Sequence, residues 1–220
     1  MKIARLVTGA FEENCYLALD GAGGAAVVDP GADAPSILAA LRDAGAVLRA
    51  VLLTHGHLDH LSALPALLAA APGAPVRLGA ADAAWCFTSA NAFPPYEPVL
   101  EAPASLAPAA DGDEIAVGAL RFRVLATPGH SPGGVCYLHE PAPGEGRPPV
   151  LFSGDTLFRA SIGRTDFPGS SWADMRASLL RLAALPPETI VLSGHGEPTT
   201  IGAERELNPF LAPLLAGEEP

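Results

Sequence analysis

Residues 52–64 read LLTHGHLDHLSAL. An apolar run ends abruptly in His55, His57, Asp59 and His60. Such a cluster at the end of a buried strand is either a solvated, histidine-rich turn or a metal site. Three further apolar runs close in the same manner: FRVLATPGH at His130, VLFSGD at Asp155 and IVLSGH at His195. Strand ends on one edge of an α/β sheet are where such proteins assemble sites, so groups remote in sequence can meet there. Imidazole nitrogen and carboxylate oxygen are ligands for zinc, iron or manganese. Five histidines and two aspartates are too many for one tetrahedral ion. They suit two ions that share a carboxylate, with a water or hydroxide between them. A lone histidine at an apolar edge is most often structural. Five of them, mostly flanked by glycine or proline, fit that reading poorly, because glycine lets backbone pass close to a metal. His139, the sixth, follows a strand into a loop and reads as solvated and without a role.

Around these points strand-like and helix-like runs alternate. KIARLVTG, NCYLALD and GAAVVDPG read as successive strands, and Asp33 is placed to N-cap a helix through APSILAALRDAG. VLRAVLLTH is a buried strand, LSALPALLAAAPG a short helix distorted at Pro65, and VRLGA a strand. DEIAVGALRFRVLATPGH alternates about Gly118 as a hairpin does. GVCYLHE, PPVLFSGD and ETIVLSGH are strands. Ser171 and Asp174 open an amphipathic helix that runs to about Ala184, and a last helix covers residues 201–207. Residues 89–112 and 140–149 read as loops, the first long enough to act as a flap. The order predicts an α/β fold with mixed sheets, two sheets sandwiched between helices.

The composition limits the function classes. A net charge of -11 argues against a nucleic-acid partner and against an anionic membrane surface. No window carries the roughly 18 apolar residues of a membrane span, and Glu12 and Glu13 interrupt the first residues where a leader would need an apolar core. The expected location is the cytoplasm. Cys15, Cys86 and Cys136 have no paired spacing and read as buried small hydrophobes.

Taken as an ordered set, THGHLDH, PGHSPGG, SGDTLF and SGHG resemble the H-x-H-x-D-H, histidine, aspartate and histidine motifs of the metallo-β-lactamase fold, and DPGAD near residue 30 fits too. IGRTDFPG and GHGEPTTIGAERELNPFL resemble the short bacterial glyoxalase II-like branch. The resemblance implies a four-layer αββα sandwich spanning residues 1–220 as one domain, without the appended C-terminal helical domain that grips glutathione in glyoxalase II. It implies two divalent metal ions, zinc first, with iron or manganese as alternatives. One takes His55, His57 and His130, the other takes Asp59, His60 and His195, and Asp155 bridges them. The implied reaction is hydrolysis of a small-molecule thioester, S-lactoylglutathione or a similar acyl-thiol, by a metal-bound hydroxide that Asp59 also orients.

Substrate contacts are expected in residues 157–169. Arg159 and Arg164 are candidates for a substrate carboxylate, unless one or both pair with Asp166 or another carboxylate. Phe158 and Phe167 are candidate apolar walls, and Trp85, Phe87 and Phe93 a candidate lid. Two other readings compete. One is a mononuclear iron persulfide dioxygenase of the same fold, using His55, His130 and Asp155. The other is a metal-stabilised binding protein without turnover.

Overall fold

In the first of two β-sheets every residue from Glu13 to Ala18 is buried, so the strand has no wet face. Cys15 and Leu17 pack into one apolar cluster, while Tyr16 and Ala18 pack into another. Side chains alternate across a strand, so a strand buried on both faces lies between two cores. The computed structural model, which describes residues 1–218, builds its layers on this pattern.

The first sheet has six strands in the order β1 (Lys2–Thr8), β2 (Glu13–Leu19), β3 (Gly24–Val28), β4 (Val47–Leu52), β5 (Val76–Leu78) and β6 (Leu106–Pro108). Its first three strands are antiparallel, and β3 to β6 run parallel. The parallel crossovers carry α1 (Ala34–Asp43), α2 (Leu64–Ala70) and α3 (Ala80–Ala83). Ile37, Leu41, Leu64 and Leu67 cover the outer face of this sheet.

The second sheet holds β7 (Glu114–Val117), β8 (Leu120–Ala126), β9 (Val135–His139), β10 (Val150–Gly154), β13 (Ile190–Ser193) and β14 (Thr199–Thr200). A separate ribbon, β11 (Leu157–Phe158) and β12 (Ser161–Ile162), follows β10. α4 (Trp172–Ala183), α5 (Ile201–Leu207) and α6 (Leu211–Ala216) cover the outer face through Met175, Leu179, Leu182, Ile201 and Leu211. Between the sheets Tyr16, Leu52, Phe122, Tyr137 and Phe152 form the central core. Four layers result, with helices outside two sheets, as the sequence predicts.

Four local expectations are corrected. Asp33 holds the N-cap position of α1, but its side chain does not cap the helix. It takes a left-handed conformation (φ 53°), and its carboxylate accepts from the Gly9 N–H at 2.9 Å instead. Pro65 does not distort α2 but sits in its first turn, where a missing N–H costs nothing. The stretch read as a flap contains β6, and α6 follows the helix expected to be last. No helix among the described residues is long and apolar enough to cross a membrane.

Candidate metal centre

The C-terminal ends of β4, β8, β10 and β13 lie at one edge of the sandwich. The residues just beyond them are His55, His130, Asp155 and His195. The short 3-10 turn Leu58–His60 adds Asp59 and His60. Ligand atoms of His55, His57 and His130 lie within 4.8 Å of one another, as do those of Asp59, His60 and His195. Asp155 faces both sets: Oδ1 is 3.4 Å from His60 Nε2, and Oδ2 is 3.5 Å from His130 Nε2 and 3.7 Å from His195 Nε2. All seven sequence-selected groups therefore meet at one place.

The hydrogen bonds fix which nitrogen each ring offers. His130 Nδ1 donates to the Arg164 carbonyl at 2.8 Å, and His195 Nδ1 donates to the Phe11 carbonyl at 3.0 Å. A carbonyl only accepts, so both rings carry a proton on Nδ1 and turn Nε2 toward the cluster. The Thr54 hydroxyl donates to Asp29 at 2.7 Å, which leaves its oxygen to accept from His55 Nδ1 at 3.1 Å. His60 Nδ1 donates to the same Asp29 carboxylate at 3.1 Å. His57 differs, because its Nδ1 faces His130 Nε2 at 2.9 Å.

This leaves His55 Nε2, His60 Nε2 and Asp155 Oδ1 buried and without a hydrogen-bond partner. Buried polar atoms are normally satisfied, and three convergent exceptions on nitrogen and carboxylate oxygen fit divalent cations. Asp29 also lies within ligand distance of His55 and His60. It is not counted as a ligand, because its oxygens already accept from the Thr54 N–H, the Thr54 hydroxyl and His60. Its role is to orient two ligands. Gly194 makes room for the cluster: a Cβ there would sit 2.3 Å from Asp155 Oδ1 and 2.5 Å from His60 Cε1.

The protons are unevenly held. Burial, reinforced by neighbouring imidazoles, pushes His55 well down and His57 down to about 4. Burial also opposes charge on His60 and His195, but Asp155 and Asp59 outweigh it and raise both. The burial cost for Asp59 is outweighed by His60 and His195, which hold it below the usual carboxylate range.

Around the metal cluster the apolar candidates divide. The Phe167 ring lies 5.4 Å from His57 and 5.8 Å from His130, and Trp85 lies 5.6 Å from His57. Phe158 lies 6.1 Å from His195. Phe93 is exposed and packs on Phe11, whereas Phe87 is buried in the outer core. Arg159 is exposed at the ribbon turn. Arg164 is committed to Asp166 by two contacts of 2.8 Å and stacks on Phe167, so it is not a free receptor for a carboxylate. His139 is not simply solvated: it is half-buried, and its ring bonds the Arg121 carbonyl at 2.9 Å, remote from the cluster. The three cysteines are free and buried, as expected.

Sequence reading missed three polar residues that hold the site. Glu13 is fully buried beside His60 and Thr8, and Asp82 is fully buried behind the ligand loops. Asn14 reaches from the first sheet to the Ser193 and Gly196 carbonyls that flank His195, at 3.0 and 2.9 Å.

A family model described as the metallo-beta-lactamase superfamily matches residues 8–195. The chain belongs to that superfamily. Among similar proteins, a hydroxyacylglutathione hydrolase of Haemophilus influenzae is 32% identical, with 96% of this chain and 98% of that protein aligned. The BLEG-1 B3 metallo-beta-lactamase superposes with a TM-score of 0.82 at 34% identity, covering 96% of this chain and 99% of its own. TTHA1623, solved in a di-iron-bound form, gives 0.80 at 38%, covering 94% and 100%. ETHE1 from Myxococcus xanthus gives 0.74 at 30%, covering 96% and 85%. The superfamily places the His and Asp cluster in a divalent-metal context and the chain among metallo-hydrolases.

Proposed function

We propose that this chain is a dinuclear thioester hydrolase of the glyoxalase II type, acting on S-lactoylglutathione or a similar acyl-thiol. The observation that carries the reading is the convergence of seven ligand groups, with Asp155 facing both triads. In this reading His55, His57 and His130 hold one cation, Asp59, His60 and His195 hold the other, and Asp155 is common to both. The cations would supply a water activated at neutral pH and positive charge for the developing oxyanion and the leaving thiolate.

The chain's own residues set the stage for that chemistry. Arg164, Phe11, Asp29 and Thr54 take the Nδ1 protons and aim four imidazole Nε2 lone pairs inward. Asp59, held as a carboxylate, orients the attacking water while it serves as a ligand. No side-chain nucleophile is required. Ser153 donates its hydroxyl to the Leu157 carbonyl, and every cysteine is buried. Phe158, Phe167 and Trp85 provide the apolar border, with Arg159 exposed in the turn next to Phe158. The similarity to the Haemophilus hydroxyacylglutathione hydrolase supports the substrate class.

The likeness to ETHE1 favours keeping one rival, a mononuclear iron persulfide dioxygenase. The di-iron form of TTHA1623 brings iron into consideration beside zinc and manganese. Protein loaded with each metal is assayed against a thioester panel, and oxygen uptake is followed with glutathione persulfide. The expected result is two metals per chain and thioester turnover without oxygen use. One tightly bound iron with oxygen consumption would overturn the hydrolase reading. Two bound metals without turnover of either substrate would favour a binding protein.

A further inference from the structure

We propose that Asp82 is a positioning residue for the His55, His57 and His130 half of the centre. It fixes the spacing of the two loops that carry those ligands without touching any ligand. The inference rests on the reading above that these histidines hold a cation.

Asp82 lies in α3, beyond β5, and is completely buried. One of its oxygens, Oδ2, accepts both the Gly56 N–H at 2.9 Å and the Ser131 hydroxyl at 2.6 Å. Gly56 separates His55 from His57, and Ser131 follows His130. A single oxygen atom therefore joins the first-sheet ligand loop to the second-sheet ligand loop. The other oxygen accepts the Gly133 N–H at 2.7 Å and the Trp85 indole N–H at 3.3 Å. Trp85 in turn packs against His57.

The approach is close enough to demand glycine on both loops. A Cβ on Gly133 would come 2.4 Å from the Asp82 nitrogen, and one on Gly56 would come 2.7 Å from Cys86 Cβ. A buried carboxylate is costly unless its acceptor sites are filled. Here they are filled by Gly56, Ser131 and Gly133, which lie next to or within three residues of the three histidines, and by the nearby Trp85 indole. An amide at this position cannot do the same, because in either orientation its NH2 would face a backbone N–H, that of Gly56 or that of Gly133. Nothing comparable links Asp82 to Asp59, His60 or His195.

The test separates positioning from general stabilisation. Asp82→Asn and Asp82→Ala are titrated with Co²⁺, following the ligand-field absorption of each half and the metal stoichiometry. The proposal predicts a dissociation constant raised about 10- to 100-fold at the three-histidine half. The other half keeps its affinity, so stoichiometry at low free metal falls from two to one. Ser131→Ala removes one of the joined donors and should produce a smaller change of the same kind. A role in folding alone would lower the melting temperature of the metal-free protein and leave both affinities unchanged, which overturns the proposal, as does equal loss at both halves. If neither Asp82 variant folds, Ser131→Ala decides, and unchanged affinity there overturns it. Wild-type protein without metal on the three histidines would sink the metal reading and this one together. Normal wild-type loading with unchanged variants sinks this one alone.

Discussion

The two halves of the proposed centre both rely on imidazoles and hold protons in opposite senses. His55 and His57 sit in an imidazole-rich, aromatic-lined corner, and burial keeps them neutral, His57 down to about 4. His60 and His195 face Asp59 and Asp155, and these carboxylates overcome the burial cost and favour the imidazolium. Metal ligation needs a neutral imidazole. In the proposed reading His55 and His57 would meet a cation without giving up protons at neutral pH, whereas His60 and His195 would have to release them. The two clusters therefore differ in proton affinity as well as in composition.

Removing the residue common to both halves should have the largest effect. Asp155→Ala is expected to empty both metal positions and to lower kcat by more than ~10³-fold, scored by metal analysis and thioesterase assay. Retention of two metals and full rate would break the bridging assignment. Asp29 comes next, since it reaches His60 directly and His55 through Thr54. Asp29→Asn should weaken metal binding by about 10- to 100-fold at both halves, in contrast to Asp82 variants, which act on one. Calorimetric titration of the two variants side by side checks this.

Acid should then separate the halves. Between pH 7.5 and 5.5 the Asp59, His60 and His195 position is expected to lose affinity about tenfold per pH unit for each proton it must release. At the three-histidine position, His57 should add little proton competition until pH approaches 4. Metal stoichiometry measured across that range tests the order of loss. The metal-free protein should show the matching opposition in stability. His57 resists a proton that the unfolded chain accepts, so its contribution is present above about pH 6.5 and lost as pH falls toward about 4. His60 and His195 contribute below about pH 6.5 and lose that contribution as pH rises through their raised values. Urea melts of His57→Ala and His195→Ala against pH should therefore shift in opposite directions. The smallest effect belongs to His139→Ala, with both metals retained and a stability change of about 1 kcal/mol or less by urea melt.

The layers and the ligand groups were legible because each rests on a local signal. Every ligand group closes an apolar run or opens the turn after it, and β2 and β10 are short runs buried almost throughout between turn signals. Asp82 and Glu13 had no such signal. They are ordinary acidic residues in the chain, and their partners come from segments distant in sequence, as with the 49 positions between Asp82 and Ser131. Asp33 had a local signal that lost to a tertiary one, since the Gly9 N–H captures its carboxylate. β6 and α6 were hidden by proline: LAP is short, and Pro209 and Pro213 flank or enter the last helix.

The carbonyl of Arg164 that receives the His130 proton belongs to the segment running on from the β11–β12 ribbon. Anyone retargeting this scaffold by exchanging residues 157–169 would be editing a ligand's support at the same time. A transplanted loop with ideal side chains but a carbonyl turned outward would leave His130 free to adopt the other tautomer and point a proton at the cation. Loop libraries for this scaffold are therefore best screened first for metal retention, with backbone direction at position 164 held constant, and only then for new substrates.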